Sequence, residues 1–430
     1  MYVVERLIDA VCEFDYPREL LQIHILDDST DRTVDLVKRK VIEYRAQGFD
    51  IERLTRSGRN GFKAGALKSA TPKAKGEFLA IFDADFLPQR DFLKRTMPCF
   101  QDLKVGVVQT RWEHINQDYS LLTRLQALQL NVHFTIEQKG RSVANQMLQF
   151  NGTAGIWRKQ AITDAGGWSD DTLTEDLDLS IRAQLKGWKI EYLQEVGSPA
   201  ELPAEMSGFK SQQHRWMKGG AETAKKMLPT VWHSALPLRM KIHSTFHLLG
   251  SSIFVFVFML GILSVPLLIA LKGLQLSSNI FSVFILGTAS IICVYYVANV
   301  ANQYTNPDRS WASDLIKFLF LFPLFLAMSM GLSLHNTIAV LQGYKGRKSD
   351  FVRTPKFNIK EITDTFRRTA YRSAEIKWST VLEGVLSLYF VFAIFLGIYI
   401  EDRSLIVFHL MLAIGYGAIF YYSVRHVNIK

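Results

Sequence analysis

Apolar positions along this chain follow three different rhythms. In residues 2–14 they recur at helical spacing (Val3, Val4, Leu7, Ile8, Val11), and Pro17 follows as a stop. Short apolar runs then alternate with helical stretches. Strands are expected at residues 21–26, 50–54, 77–82 and 105–110, and helices at 31–46, 119–138 and 177–185, the last ended by Gly187. Ser29 or Thr30 is the expected cap of the second helix. After residue 245 the rhythm disappears into runs long enough to cross a bilayer, expected at 246–271, 280–300, 381–400 and 405–422. The pattern predicts an α/β domain over residues 1–230 and an α-helical transmembrane domain over 231–430.

Two stretches need a separate reading. Residues 231–240 mix Trp232, His233, Arg239 and apolar positions, which suits a helix lying on the membrane surface. Residues 315–341 begin apolar, but Pro323 interrupts them and Ser333, His335, Asn336 and Thr337 make the second half polar. The segment 344–377 that follows is dense in lysine and arginine, a positive-inside signal that keeps it on the cytoplasmic side with the first domain. Residues 315–341 are therefore expected to lie at the interface or re-enter rather than cross. Residues 1–15 are amphipathic without a continuous apolar core, so no signal peptide is expected.

Composition alters this picture little. Much of the net charge of +10 lies beside apolar spans, so lipid headgroups explain it better than nucleic acid, which is not expected as a partner. Cys12, Cys99 and Cys293 form no CxxC, and neither a disulfide framework nor a zinc site is expected.

Candidate chemistry gathers at strand ends and helix starts. Asp27-Asp28 follows the first strand, and Asp83-Ala84-Asp85 follows the third, where open α/β sheets place ligands. Two carboxylates two residues apart can converge on a hard divalent cation that bridges to a diphosphate. Lys63, at a helix start beside Gly61 and Gly65, can meet a phosphate. Thr174-Glu175-Asp176 opens a helix, and Gln212-Gln213-His214-Arg215-Trp216 joins a guanidinium to an indole. Each has a plain structural use as well: turn and cap residues, a strand turn for the small residues around Phe150-Asn151-Gly152, dipole partners for Glu175 and Asp176.

Taken in order, Asp27-Asp28-Ser29, Asp83-Ala84-Asp85, Thr174-Glu175-Asp176 and Gln212-x-x-Arg215-Trp216 resemble the motifs of processive family 2 glycosyltransferases, the group of cellulose, mannan and hyaluronan synthases. Residues 61–67, 150–155 and 212–216 are worded like the cellulose synthase-like branch that includes plant mannan synthases. The resemblance implies a GT-A nucleotide-sugar-binding fold and an inverting transfer of hexose from GDP-mannose or UDP-glucose to a growing β-linked polysaccharide, which the membrane domain secretes.

By this resemblance Asp27, Asp28, Lys63, Asp83, Gln212 and Arg215 bind the nucleotide sugar. Asp83 and Asp85 hold Mg or Mn, and Asp176 is the general base within Thr174-Glu175-Asp176. Trp216, Phe150, Asn151 and Gly152 meet the glycan acceptor. Residues 351–356 resemble a Phe-x-Val-Thr-x-Lys gating loop, making Thr354 and Lys356 donor contacts, although a polybasic strip on anionic lipid explains the charge equally well. Membrane lipid and accessory export subunits are the further partners implied, with the catalytic domain cytoplasmic in a multi-pass protein of the inner or plasma membrane. The family also begins with a strand and a Pro-x-Tyr-Asn-Glu-like turn. Only Met1 precedes the first helix here, so a truncated or mis-assigned start is expected. Two other readings are a single-sugar transferase acting on a lipid and a transporter with a regulatory domain.

Overall fold

The computed structural model describes residues 3–274, 283–302, 310–347, 356–359 and 376–428. Helix α1 (Val4–Cys12) packs on α2 (Thr33–Ala46) around Ile8, Val37 and Ile51, beside the parallel pair β1 (Gln22–Leu26) and β2 (Asp50–Leu54). The cap of α2 differs from expectation. Neither Ser29 nor Thr30 caps it: Arg32 stands at the cap position without a side-chain cap, Asp31 Oδ1 accepts the Thr33 N–H at 2.9 Å, and the Ser29 N–H turns back onto Asp27 Oδ1.

Helices α3 (Phe62–Ala70) and α4 (Phe92–Thr96) flank β3 (Phe78–Ile81) in the chain, and β4 (Val105–His114), β5 (Gly155–Arg158) and β6 (Lys189–Ala200) complete a second sheet in the order β3-β5-β4-β6. β5 runs antiparallel to both neighbours, while β4 and β6 are parallel. Trp157, Val107, Phe150 and Leu179 fill the core on one face of this sheet. The expected helix over 119–138 is α5 (Leu121–Val132), a π-helical turn at His133–Glu137 and α6 (Gln138–Val143), begun by a capping box between Ser120 and Thr123. α7 (Lys159–Asp164) and α8 (Glu175–Leu185) cover the sheet.

Beyond the sheet, α9 (Met206–His233) carries the Gln212–Trp216 motif for 28 residues before Ser234 ends it. The surface helix expected over 231–240 is thus two elements, since Pro237 starts α10 (Leu238–Leu248). Then come α11 (Ile253–Gly273), α12 (Val283–Tyr296), α13 (Trp311–Gly331), α14 (Ser333–Tyr344), α15 (Trp378–Tyr399) and α16 (Ile406–Asn428).

Among the described residues four helical stretches are long and apolar enough to span: Gly250–Gly273, Trp311–Gly331, Trp378–Tyr399 and Ile406–Arg425. The expected span over 280–300 is represented by the shorter Gly287–Ala301, and Trp311–Gly331 qualifies in its place because Pro323 sits inside α13 without ending it. Length and composition are not the whole case for α13. Its Phe318, Phe322, Phe325 and Met328 form one apolar cluster with Leu122, Leu125 and Leu128 of α5, Met206 and Phe209 of α9 and Ile419 of α16, so α13 lies between the α/β domain and the last apolar helix. The polar half of 315–341 is α14, which lies along α9: Gly343 approaches Lys218 O, and His335 Nε2 meets Lys210 O at 2.8 Å.

One buried ion pair fastens the two halves. Lys210 Nζ on α9 donates to both carboxylate oxygens of Glu383 on α15 at 2.7 and 2.8 Å, with Glu383 wholly inaccessible.

The register at the sheet centre leaves no room for a side chain at Gly155, where a Cβ would lie 2.4 Å from Val108 O and 2.8 Å from the Phe150 ring. Gly155→Ala is expected to destabilise the α/β domain by about 1–3 kcal/mol, read as a lower thermal midpoint. An unchanged midpoint would contradict this register.

Candidate active site

Parallel pairing of β1 with β2, Leu26 opposite Leu54, brings together whatever follows each strand. Asp27 therefore meets Arg53 Nε at 2.8 Å, and Asp28 meets the Arg56 guanidinium through Nη2 and, at 3.3 Å, through Nε. Arg56 also donates to Asn60 O at 2.8 Å and Phe62 O at 2.9 Å, which ties the Asp27-Asp28 corner to the start of α3. Arg53 and Arg56 were not among the expected site residues. Their signal lies in the pairing register, which a single strand does not display.

Lys63, the second residue of α3, reaches the middle of the site. Its Nζ donates to Asp83 Oδ1 at 2.5 Å and to Gly152 O at 2.8 Å. Burial opposes its charge, but Asp83 and Glu175 outweigh burial, and the net shift is upward. Its side chain is 26% exposed.

Asp83 follows β3, and its N–H donates to Thr153 Oγ1 at 2.8 Å. Asp85 lies in a turn closed by the Phe86 N–H on Asp83 O, so the two carboxylates do not converge by strand alternation. Asp85 pairs instead with Lys356 Nζ at 2.8 Å. Both are felt by the Arg215 guanidinium, which also faces Glu175.

Thr174 precedes α8 but does not cap it. Its hydroxyl lies 3.0 Å from Thr223 Oγ1 on α9, and a Cβ at Gly219 would strike its methyl at 2.6 Å. The Leu173 N–H donates to Glu222 Oε2 at 2.8 Å. α9 thus holds the turn that delivers Glu175 and Asp176. Asp176 takes the Leu177 N–H on Oδ1 at 2.8 Å and turns Oδ2 toward Gly152, where a Cβ would come within 2.9 Å of it and 3.4 Å of Lys63 Nζ. Gly152 has φ +81, so glycine is required there by conformation and by space.

Burial first, and then the facing Glu175 carboxyl, hold Asp176 well above the ordinary carboxylate range, and Lys63 opposes both without cancelling them. Burial raises Glu175 in the same way, against the pull of Lys63.

The 150–154 loop is positioned from behind. Ser180 Oγ accepts the Phe150 N–H at 2.9 Å, and Gln109 Oε1 accepts the Asn151 N–H at 2.8 Å. Asn151 Oδ1 is 3.0 Å from His133 Nε2 on the π-helical turn. Phe150 differs from its expected acceptor contact: it is fully buried against Trp157 and holds the loop by packing. Gln212 and Trp216 lie half-buried on α9 with Arg215, and Thr354 falls outside the described residues.

The site thus joins Lys63, Asp83, Gly152, Glu175, Asp176 and Arg215 in one cluster, with Asp85 and Lys356 beside it and Asp27-Asp28 at a neighbouring corner. Asp83 and Asp85 present hard oxygen donors of the kind a divalent cation takes, each now paired with an ammonium group that such a cation would have to replace. Among the described residues no third His, Cys, Asp or Glu completes a protein-only cage, so the remaining ligands would be diphosphate oxygens and water.

The family described as Glycosyltransferase like family 2 matches residues 2–219. Glucomannan 4-beta-mannosyltransferase 9 of Arabidopsis thaliana is 44% identical over 230 residues, 52% of this chain and 43% of that protein. Glucomannan 4-beta-mannosyltransferase 1 of Oryza sativa subsp. japonica is 36% identical over 387 residues, 87% of this chain and 71% of that protein. The chain thus spans less than half of the first relative's length. In fold it is similar to the mannosyltransferase PcManGT from Pyrobaculum calidifontis, solved in complex with GDP-Man and Mn2+, with a TM-score of 0.50 at 17% identity over 80% of this chain and 84% of that one.

A raised carboxyl keeps its proton where an exposed aspartate has lost it, and releases it as pH rises. In infrared difference spectra between the unaltered protein and Asp176→Asn, a protonated-carboxyl band should therefore persist at about pH 5, above the ordinary aspartate range, and fade toward neutrality. Glu175→Gln should move that loss to lower pH. Full ionisation of Asp176 at about pH 5 would contradict the assignment.

Proposed function

The chain belongs to glycosyltransferase family 2, on the cellulose synthase-like branch of its mannosyltransferase relatives, and on that premise we propose that it transfers mannose from GDP-mannose to a growing β-linked polysaccharide. The observation that carries this reading is the placement of Asp176 Oδ2 against Gly152 and Lys63, with Asp83 and Arg215 on the same cluster. A sugar hydroxyl is a weak nucleophile, and a carboxylate whose pKa is raised toward the working pH is suited to take its proton.

In the proposed reaction the acceptor hydroxyl oxygen forms a bond to the donor's anomeric carbon as the bond from that carbon to the diphosphate oxygen breaks. Asp176 takes the hydroxyl proton, and GDP leaves with the electron pair. One displacement inverts the anomeric centre, so an α-linked donor gives a β-linked product. Arg215 and Lys63 face the growing charge of the diphosphate. A divalent cation held by Asp83 and Asp85 would supply further charge neutralisation at the same oxygens. Trp216 offers a flat face for the acceptor sugar, and Asn151 and Gly152 border its path. Asp27 and Asp28, each on an arginine, shape the nucleoside end of the pocket.

The names of the relatives favour mannose over glucose, and the nucleotide and ion in the Pyrobaculum complex favour GDP with Mn2+. The apolar helices support insertion in a membrane, and the density of lysine and arginine over residues 344–377 favours the cytoplasmic side for the catalytic domain. In this arrangement α13 packs between α5 and α16, and the product leaves among the apolar helices. The ion pair of Lys210 with Glu383 keeps α9, which carries Gln212, Arg215 and Trp216, seated on α15.

Purified protein in lipid should convert radiolabelled GDP-mannose to a β-mannanase-sensitive polymer. Asp176→Asn should lower the rate by at least ~100-fold without moving the thermal midpoint. A normal rate in that variant would remove the base assignment, and a one-sugar lipid product would replace the polymerase reading by a glycolipid one.

A further inference from the structure

Residues 356–359 are docked at the carboxyl ends of β3 and β6 by a set of contacts that the reaction above does not use. Glu201, just past β6 and 2% exposed, accepts the Phe357 N–H on Oε1 at 2.7 Å and the Asn358 N–H on Oε2 at 3.0 Å. Its carbonyl oxygen accepts from Lys356 Nζ. Arg6 on α1 closes the arrangement, donating to Asn358 Oδ1 at 2.7 Å and Asp85 O at 3.1 Å while pairing with Glu201 at 3.3 Å. Asn358 adopts a left-handed φ of 61°, so the chain turns sharply at this anchor.

The result is that Lys356 Nζ rests 2.8 Å from Asp85 Oδ2, with the two side chains only 15% and 16% exposed. Lys63 holds Asp83 in the same way at 2.5 Å. The two ammonium groups differ in their tethers. Lys63 sits on a helix of the scaffold and is held by Gly152 O as well as by Asp83, whereas Lys356 reaches Asp85 from far along the chain, seated on the sheet end by Glu201 and Arg6, and its ammonium can leave Asp85 by rotation of its own side chain.

We propose that Glu201 and Arg6 are positioning residues that set Lys356 on Asp85 as an exchangeable cation, which a divalent ion entering with the nucleoside diphosphate displaces. The displaced ammonium is then free to meet a phosphate oxygen. No covalent bond changes: one positive group leaves the carboxylate as another arrives. The inference rests on the reading that Asp83 and Asp85 take the cation. It means that the ion-free site stays neutralised, and that without nucleotide the affinity for the divalent ion is held down by a competitor built into the chain.

The test is Mn2+ binding to the full chain in lipid nanodiscs without nucleotide, followed by the electron paramagnetic resonance signal of free Mn2+. Lys356→Met should bind Mn2+ about tenfold more tightly, the loss of a partly buried ion-pair competitor. Lys356→Arg should restore the original affinity, and Glu201→Gln should shift it in the direction of Lys356→Met by a smaller factor. Equal or weaker Mn2+ binding by Lys356→Met overturns the exchange while leaving the cation site in place. Absence of Mn2+ binding in every form overturns both.

Discussion

Three carboxyl groups crowd together in this protein, and one ammonium makes the crowding tolerable. Lys63 Nζ lies 2.5 Å from Asp83, and Glu175 and Asp176 face it from the start of α8. Ionised carboxylates without partners are costly in a partly buried place, so their number is bounded by the positive charge that reaches them. Lys63 has a short contact with Asp83, while Asp176, behind Glu175, is left with a raised affinity for a proton. That imbalance is what a general base needs. It exists only because Gly152 lets Asp176 and Lys63 approach across a bare backbone, and because Gln109, Thr153 and Ser180 hold the loop that carries this glycine.

The second dependence runs through α9. The helix holds the Thr174 turn through Gly219, Glu222 and Thr223, brings Arg215 to the carboxylates, and is fixed to the apolar helices by Lys210, His214 and the close approach of Gly343. A displacement of the apolar helices relative to the sheet would move Arg215 with them. The buried pair of Lys210 with Glu383 matters here for registry more than for stability, since such pairs contribute little net energy.

Much of this organisation was legible in the sequence because it is local. The strands β1 to β3, the helices α1, α2 and α8, and the Lys63, Asp83 and Asp176 positions sit in short patterns whose period or punctuation is decisive. β6 was not foreseen: Glu191, Gln194 and Glu195 break its apolar run, and Gly197-Ser198-Pro199 reads as a loop, although β4 pairs with it through an irregular register. Arg53, Arg56, Arg6 and Glu201 were missed for a different reason. Their significance depends on which strand ends are adjacent and on a segment that returns from far along the chain, neither of which periodicity reports. The polar half of residues 315–341 was read as an obstacle to crossing a membrane, and the structure gives it a partner in α9.

The central claim is that donor and acceptor meet at the cluster of Lys63, Asp83, Asp176 and Arg215. Its most direct test is the structure, in lipid, of the Asp176→Asn variant with GDP-mannose, Mn2+ and a short β-mannan. The account predicts the diphosphate between Asp83 and Arg215, and an acceptor hydroxyl facing position 176 on the side of Gly152. A nucleotide bound away from Asp83 and Arg215, or an acceptor terminus out of reach of position 176, would contradict it.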